Sequence, residues 1–346
     1  MGGGSRVIGG VFGLEPLPSD GVRSAGTPPF ARGPALWTVN GRSAIRVLCG
    51  ALRPRQVWVP SYLCDAVLLG LTDPASARFY EVTAELAVSG HAWLDEVRAD
   101  DLVVLIDYFG FPAPVDVAAA ARSRGACVLE DAAQALLTEG VGRAADFVVF
   151  SPRKFVGVPD GGLAVQTGTR PLPAVALAPP PAAWWRGALA AAQSRRDFDH
   201  GGADRGWFPA FQAAERDAPA GAYAASELTR SLLGTAIDWS AVAERRRANW
   251  EVLAAALGEI AVFPVLTAGV VPVGFPVRVS RRDEVREMLF ANEIYPPVHW
   301  PLADVVPERF IGSHHLAAEI MTLPCDQRYD AAQMERMAML VSGALG

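Results

Sequence analysis

Leu102-Val103-Val104-Leu105-Ile106-Asp107 is an unbroken β-favouring apolar run closed by an acid, with no polar alternation. A strand that shows water on one face alternates; one covered on both faces does not, and such strands belong to parallel sheets flanked by helices. The same kind of unit recurs around it. Asn40-Gly41-Arg42-Ser43 leads into a capped helix over 44–52, Gln56–Val59 predicts a short strand, and 62–71 predicts a helix. Arg78–Tyr80 predicts a strand, 114–124 a helix stopped by Gly125, and Cys127–Asp131, Asp146–Phe150 and Gly162–Gln166 three more strands. Alternating βα units imply an α/β fold of three layers, a mostly parallel sheet between two helical faces.

The two ends depart from this rhythm. Residues 1–35, rich in Gly and Pro, predict an irregular arm, and Met1–Arg6 lacks the basic-then-apolar order of a secretory leader. Residues 168–220 carry five prolines between 171 and 181 together with Trp184, Trp185 and Trp207. Helical pieces are expected around 182–196, with the aromatics in ordinary packing before a pocket or subunit contact. Ser226–Leu257 predicts one long helix or two in series. Strands near 261–264 and 270–279 and helices at 283–292 and 331–345 complete a smaller α+β region. The expected partition is an arm (1–35), a large domain (36–225) and a small C-terminal domain (226–346).

Composition narrows the chemistry. The chain has 346 residues, and its net charge of −6 argues against nucleic acid as a partner. No uninterrupted apolar stretch reaches the ~18 residues of a membrane span. The four widely spaced cysteines read as reduced thiols of a cytoplasmic protein, with no metal site. Lys and Arg together number 31, yet Lys154 is the only lysine. An arginine serves wherever a positive charge suffices, but a guanidinium does not attack a carbonyl. A Schiff base needs an amine. The surviving lysine is therefore expected where amine chemistry is required.

A Schiff-base lysine paired with an acid at the end of a preceding strand fits pyridoxal 5'-phosphate (PLP). Asp131, closing the strand at 127–131, can keep the pyridine nitrogen protonated, so that the ring draws electrons from the neighbouring carbon. Gln134 can reach the ring hydroxyl, and Ala133 is small enough for a ring to lie on the backbone. Gly41, Arg42 and Ser43, at a turn entering a helix, offer a phosphate site, with Ser151 as a second hydroxyl and Arg153 as a charge partner. Ser151-x-x-Lys154 also matches the serine acyl-enzyme pattern, but the companion motifs of that chemistry are not seen.

Taken together, these segments resemble the DegT/DnrJ/StrS-type nucleotide-sugar aminotransferase family, PLP enzymes of fold type I (the aspartate-aminotransferase fold). The matching stretches are Asn40–Ile45, Val57–Tyr62, Asp107–Pro112, Glu130–Gln134 and Ser151–Gly162, with weaker echoes at Ser226–Leu228, Ile294–His299 and Thr322–Asp326. The resemblance implies Lys154 as the Schiff-base residue, Asp131 as the pyridinium partner, Gln134 at the ring oxygen, and Gly41, Arg42, Ser43 and Ser151 around the phosphate. It also implies a homodimer with sites at the subunit boundary. Cys64 aligns with the family's ring-stacking aromatic. Ala222 and Ala224 stand where the family has an Asn and an Arg that reach the partner's site, and the Ser151–Lys154 spacing is shorter than usual. Tyr62, Tyr108, Arg153 and His299 are the substrate-side candidates.

The expected activity is transamination from a small-molecule amino donor to a ketone or aldehyde acceptor, sugar-like or a secondary-metabolite precursor. The alternatives are PLP-dependent elimination or carbon–carbon bond formation, and a non-catalytic PLP-binding module. The His314-His315 pair reads as surface.

Overall fold

The computed structural model describes residues 7–17 and 26–345. In chain order its elements are β1 (Ile8–Gly9), β2 (Ala35–Thr38), α1 (Gly41–Leu52), β3 (Val57–Pro60), α2 (Asp65–Gly70), β4 (Ala77–Tyr80), β5 (Leu102–Ile106), α3 (Val115–Ser123), β6 (Cys127–Asp131), β7 (Phe147–Phe150) and β8 (Gly162–Gln166). There follow α4 (Ala182–Asp199), α5 (Trp207–Arg216), α6 (Glu227–Thr235), α7 (Trp239–Leu257), β9 (Phe275–Arg278), α8 (Arg282–Ala291), β10 (Ile294–Tyr295), α9 (Ile311–Glu319), β11 (Ile320–Leu323) and α10 (Ala331–Leu345).

A seven-stranded sheet runs in the order β2-β8-β7-β6-β5-β3-β4. Its strands are parallel except β8, which pairs antiparallel with both β7 and β2. Strand β5 is buried along its whole length, as its unbroken apolar run requires. The period-2 geometry of β7 sorts its side chains to two cores: Phe147 and Val149 join the one beneath α1 and α3, Val148 and Phe150 the one on the opposite face. That is the three-layer α/β architecture. A third cluster joins α7, α8 and α10 with the antiparallel β9–β11 ribbon and with Ile8 of β1.

Helix α1 starts where the sequence punctuates it. The Asn40 side chain accepts from the Ser43 amide (2.8 Å) and so caps the helix. Gly162 backs directly onto this cap: a Cβ there would overlap the Asn40 carbonyl, so the first residue of β8 must be glycine.

Several elements differ from the sequence expectation. The helix expected from Tyr62 begins only at Asp65, because Tyr62 and Leu63 are fully buried in the bend ahead of it. The strand expected at 261–264 reduces to one bridge, Ala261 to Val277. Of 270–279 only Phe275–Arg278 is a strand; Val271 and Val273 bond instead to Thr138 and Phe109 of the larger body. The arm is less irregular than expected, since β1 pairs in parallel with β10 and β2 forms an edge of the main sheet. The leader reading at Met1–Arg6 lies outside the described residues.

Truncating the middle of the buried sheet has a predictable cost. Leu105→Ala should lower unfolding free energy by about 3 kcal/mol, whereas the exposed Val115→Ala should stay within about 0.5 kcal/mol of the parent; urea midpoints measured side by side check both.

Candidate active site

Parallel pairing of β6 with β7 sets Asp131 opposite Val149, so both strands end at the same edge of the sheet. Asp131 is the last residue of β6. Strand β7 runs on through buried Ser151 into the tight turn Pro152–Lys154, which delivers the lysine to that edge. The turn is held from behind. The Phe155 carbonyl accepts from Gln327 Nε2 (2.6 Å) and from Arg246 Nη2 (3.2 Å). Further along, the Asp160 carboxylate accepts from the amide (2.8 Å) and hydroxyl (2.7 Å) of Ser226 and from the Thr229 hydroxyl. The segment from Ser151 to Gly162 and the Ser226–Leu228 echo are thus locked together, with Ser226 also capping α6.

Among the described residues Lys154 forms no ion pair, yet its charge acts on several neighbours. Burial raises the Asp131 carboxyl above the ordinary carboxylate range, and the lysine pulls it back, together with a hydrogen bond from the Ala133 amide (3.0 Å). Burial pushes the Cys64 thiol up to about 11 against the same lysine, so the thiol stays neutral. Burial drives the His299 imidazole down to about 3, with the lysine adding to the depression. The indole of Trp300 lies beneath the amine, its ring centre 6.0 Å from Nζ.

Gln134 is buried, and its Oε1 accepts from the Phe109 amide (2.9 Å). That bond orients the side chain and leaves Nε2 a buried donor without a partner. Such a group is costly unless something fills it. The turn at α1 is built as expected, but its polar groups are already engaged. Ser43 Oγ donates to the Pro219 carbonyl (3.2 Å) and accepts from the Gly221 amide (3.2 Å), and Arg42 Nη1 donates to the Ala218 carbonyl (3.3 Å). Arg42 Nε stays buried without a partner.

A cavity of about 710 Å³ opens in front of this edge, lined by Gln134, Arg153, Lys154 and His299 among the predicted residues. The others stand outside its lining. Tyr62 and Tyr108 are packed behind it: the Tyr62 hydroxyl donates to the His299 carbonyl and the Tyr108 hydroxyl to the Tyr62 carbonyl. Cys64 caps α2 and offers no ring face; Trp300 is the aromatic beside the lysine. Arg153 is paired with Glu215 of α5. Sequence reasoning missed the wall formed by Trp184, Arg195, Trp207 and Phe208 of α4 and α5, and the contribution of Gly9–Phe12. The clustering of Trp between 184 and 207 was the available signal. His314 is half-buried, with Nε2 near the Val306 carbonyl (3.1 Å), and His315 is exposed. Among the described residues no cluster could hold a metal ion, and no helix is long and apolar enough to cross a membrane.

The three-layer fold, with its mostly parallel seven-stranded sheet, is shared with solved aminotransferase structures. No family model and no curated protein matches the sequence. The likeness is to solved structures. DesV of S. venezuelae superimposes with a TM-score of 0.66 at 20% identity, covering 91% of this chain and 86% of that one. TlmJ, an aminotransferase of Streptoalloteichus hindustanus, gives 0.64 at 19%, covering 90% and 85%. A Streptococcus pneumoniae protein solved in its PLP-form gives 0.67 at 14%, covering 98% and 100%. The resemblance read from the motifs is thus to proteins that share the whole architecture.

The depressed His299 fixes a sign. Below about pH 6.5 the unfolded chain takes up a proton that the native imidazole refuses until about pH 3, so native stability falls as pH drops through that window. His299→Gln should flatten the loss between pH 6 and pH 4, by up to about 1.4 kcal/mol per pH unit, in denaturant titrations run at each pH.

Proposed function

We propose that the chain is a PLP-dependent aminotransferase in which Lys154 is the Schiff-base residue. The observation that carries this reading is one constellation. The sole lysine stands at a sheet edge where its charge acts on the half-buried Asp131, with the orphaned Gln134 donor in the same cavity as the amine.

The donor set fits the cofactor. Gln134 Nε2 would suit the ring oxygen and the Asp131 carboxylate the pyridinium nitrogen, while Arg42 Nε, Ser151 and the α1 N-terminus, which stand outside the cavity lining, would take the phosphate. Bound there, PLP would supply a carbonyl that condenses with amines and a ring that accepts electron density. Asp131 would hold a proton on the ring nitrogen, and Lys154 and the Ala133 amide favour its anion, partly offsetting the burial that raises its pKa. Lys154 Nζ is the amine that would hold the cofactor's carbonyl end, and once free it would carry a proton to and from the substrate carbon.

In this reading the acceptor is a ketone or aldehyde, the donor a small amino compound, residues 36–225 carry the cofactor, and the active unit is a cytoplasmic homodimer. The Streptococcus pneumoniae protein and CalS13 of Micromonospora echinospora are described as sugar aminotransferases, which supports transamination. Ala222 and Ala224, in place of the family's Asn and Arg, favour a second reading, PLP-dependent elimination or carbon–carbon bond formation on an amino acid.

Absorbance of the PLP-loaded protein tests the proposal. Wild type should show a band near ~420 nm that Lys154→Ala lacks, and glutamate, glutamine or another amino donor should bleach it. Asp131→Asn should keep the band but turn over at least about a hundredfold more slowly. A band that survives in Lys154→Ala would refute the assignment, and failure of every donor in a broad panel to bleach it would favour the second reading.

A further inference from the structure

The wall of the cavity opposite Lys154 comes from α4 and α5, in the 168–220 region that the family resemblance leaves uncovered. At its centre is Arg195, whose side chain is 1% exposed. Its Nε donates to Asp199 (2.9 Å) and its Nη2 to the Gly9 carbonyl (3.2 Å), while Nη1 has no hydrogen bond. The guanidinium lies over the Trp207 ring, 4.4 Å from its centre, and Trp207 Nε1 is a second buried donor without a partner. Gly10 keeps the spot open, since a Cβ there would fall against both Nη1 and the Trp207 ring. Burial lowers the Arg195 pKa and the nearby Arg328 charge lowers it further, while the paired Asp199 opposes both.

From these groups, and resting on the PLP reading above, we infer that the cavity takes a substrate with one carboxylate, held by Arg195 Nη1 and Trp207 Nε1, and an apolar, preferably aromatic, body laid against the α4–α5 wall. A guanidinium edge and an indole N–H are matched to a carboxylate, and the aromatic ring under the guanidinium leaves that edge as its exit. The rest of the wall, Trp184, Ala188, Phe208 and Phe211, offers apolar surface, and the Trp184 N–H is already spent on the Ala214 carbonyl (2.8 Å). Each sugar hydroxyl buried there without a partner would cost free energy, whereas an aromatic body would not. Arg195 is thereby a specificity-determining residue supplied by the same chain as the lysine, at a distance in sequence from the altered positions Ala222 and Ala224.

Calorimetric titration of the PLP-loaded protein tests this with 3-phenylpropionate, its uncharged isostere 3-phenylpropionamide, methyl glucoside and inorganic phosphate. Wild type should bind the carboxylate at least about tenfold more tightly than the amide, and more tightly than the glucoside or phosphate. Arg195→Gln should bring carboxylate and amide to equal affinity. Should that variant not fold, Trp207→Phe should weaken carboxylate binding more than amide binding and so narrow the preference several-fold. Equal wild-type affinity for acid and amide, tighter binding of glucoside or phosphate, or a preference untouched by either substitution overturns the inference. An absorbance scan of the same samples separates the two claims. A cofactor band without carboxylate preference sinks the anion site alone, and a preference without the band sinks the Lys154 assignment and leaves the anion site standing.

Discussion

The parallel pairing of β6 with β7 is the constraint on which the rest of the site depends. In an antiparallel pair the chain would carry Asp131 and the lysine turn to opposite ends of the sheet. In the parallel pair both strands finish at one edge, and a carboxylate and an amine far apart in sequence come within each other's field. The antiparallel β8 then turns back beside β7, which brings Gly161 and Gly162 against the cap of α1 and draws the helix N-terminus to the same edge. Everything proposed about cofactor binding sits in the crevice outside the carboxyl ends of the strands, where open α/β sheets bind their ligands.

The legible parts were those written in local pattern. Cys127–Asp131 and Gly162–Gln166 read as strands with the bounds the structure has, because a buried strand has an apolar run and a turn residue to end it. Lys154, Gln134 and His299 drew notice as scarce residue types standing in motif order, and Arg153 by its place beside the lysine. The misplaced elements depend on contacts that no local window holds. Tyr62 looked helical by spacing, yet its ring is fixed by Tyr108 and Trp300, 5.9 and 5.7 Å away. The wall made by α4 and α5 was illegible for the same reason. Their aromatics face the lysine turn and the N-terminal segment, and nothing in residues 182–216 announces either partner.

Arginine does structural work here that lysine could not. Arg246 is fully buried and spreads its donors over Gln327 and the carbonyls of Pro272, Val273 and Phe155. Its fork saturates several acceptors at once, which offsets the cost of burying the charge. Even with burial lowering its pKa to about 10, it stays protonated at neutral pH. An ammonium in its place would reach fewer carbonyls and shed its proton more readily. A chain in which arginine has taken over every other cationic position can therefore brace the lysine turn without placing a second primary amine near it.

Strand β1 supplies the last consequence. Ile8 pairs with Ile294, and the residues that follow it, Gly9 to Phe12, close one side of the cavity. On a translating ribosome those residues wait for a partner made nearly three hundred residues later. Long-range pairing of this kind forms late, after the local βα units have settled. The central sheet can thus mature before its reaction chamber has a finished rim, and a nascent chain stays open to small molecules until β10 has emerged.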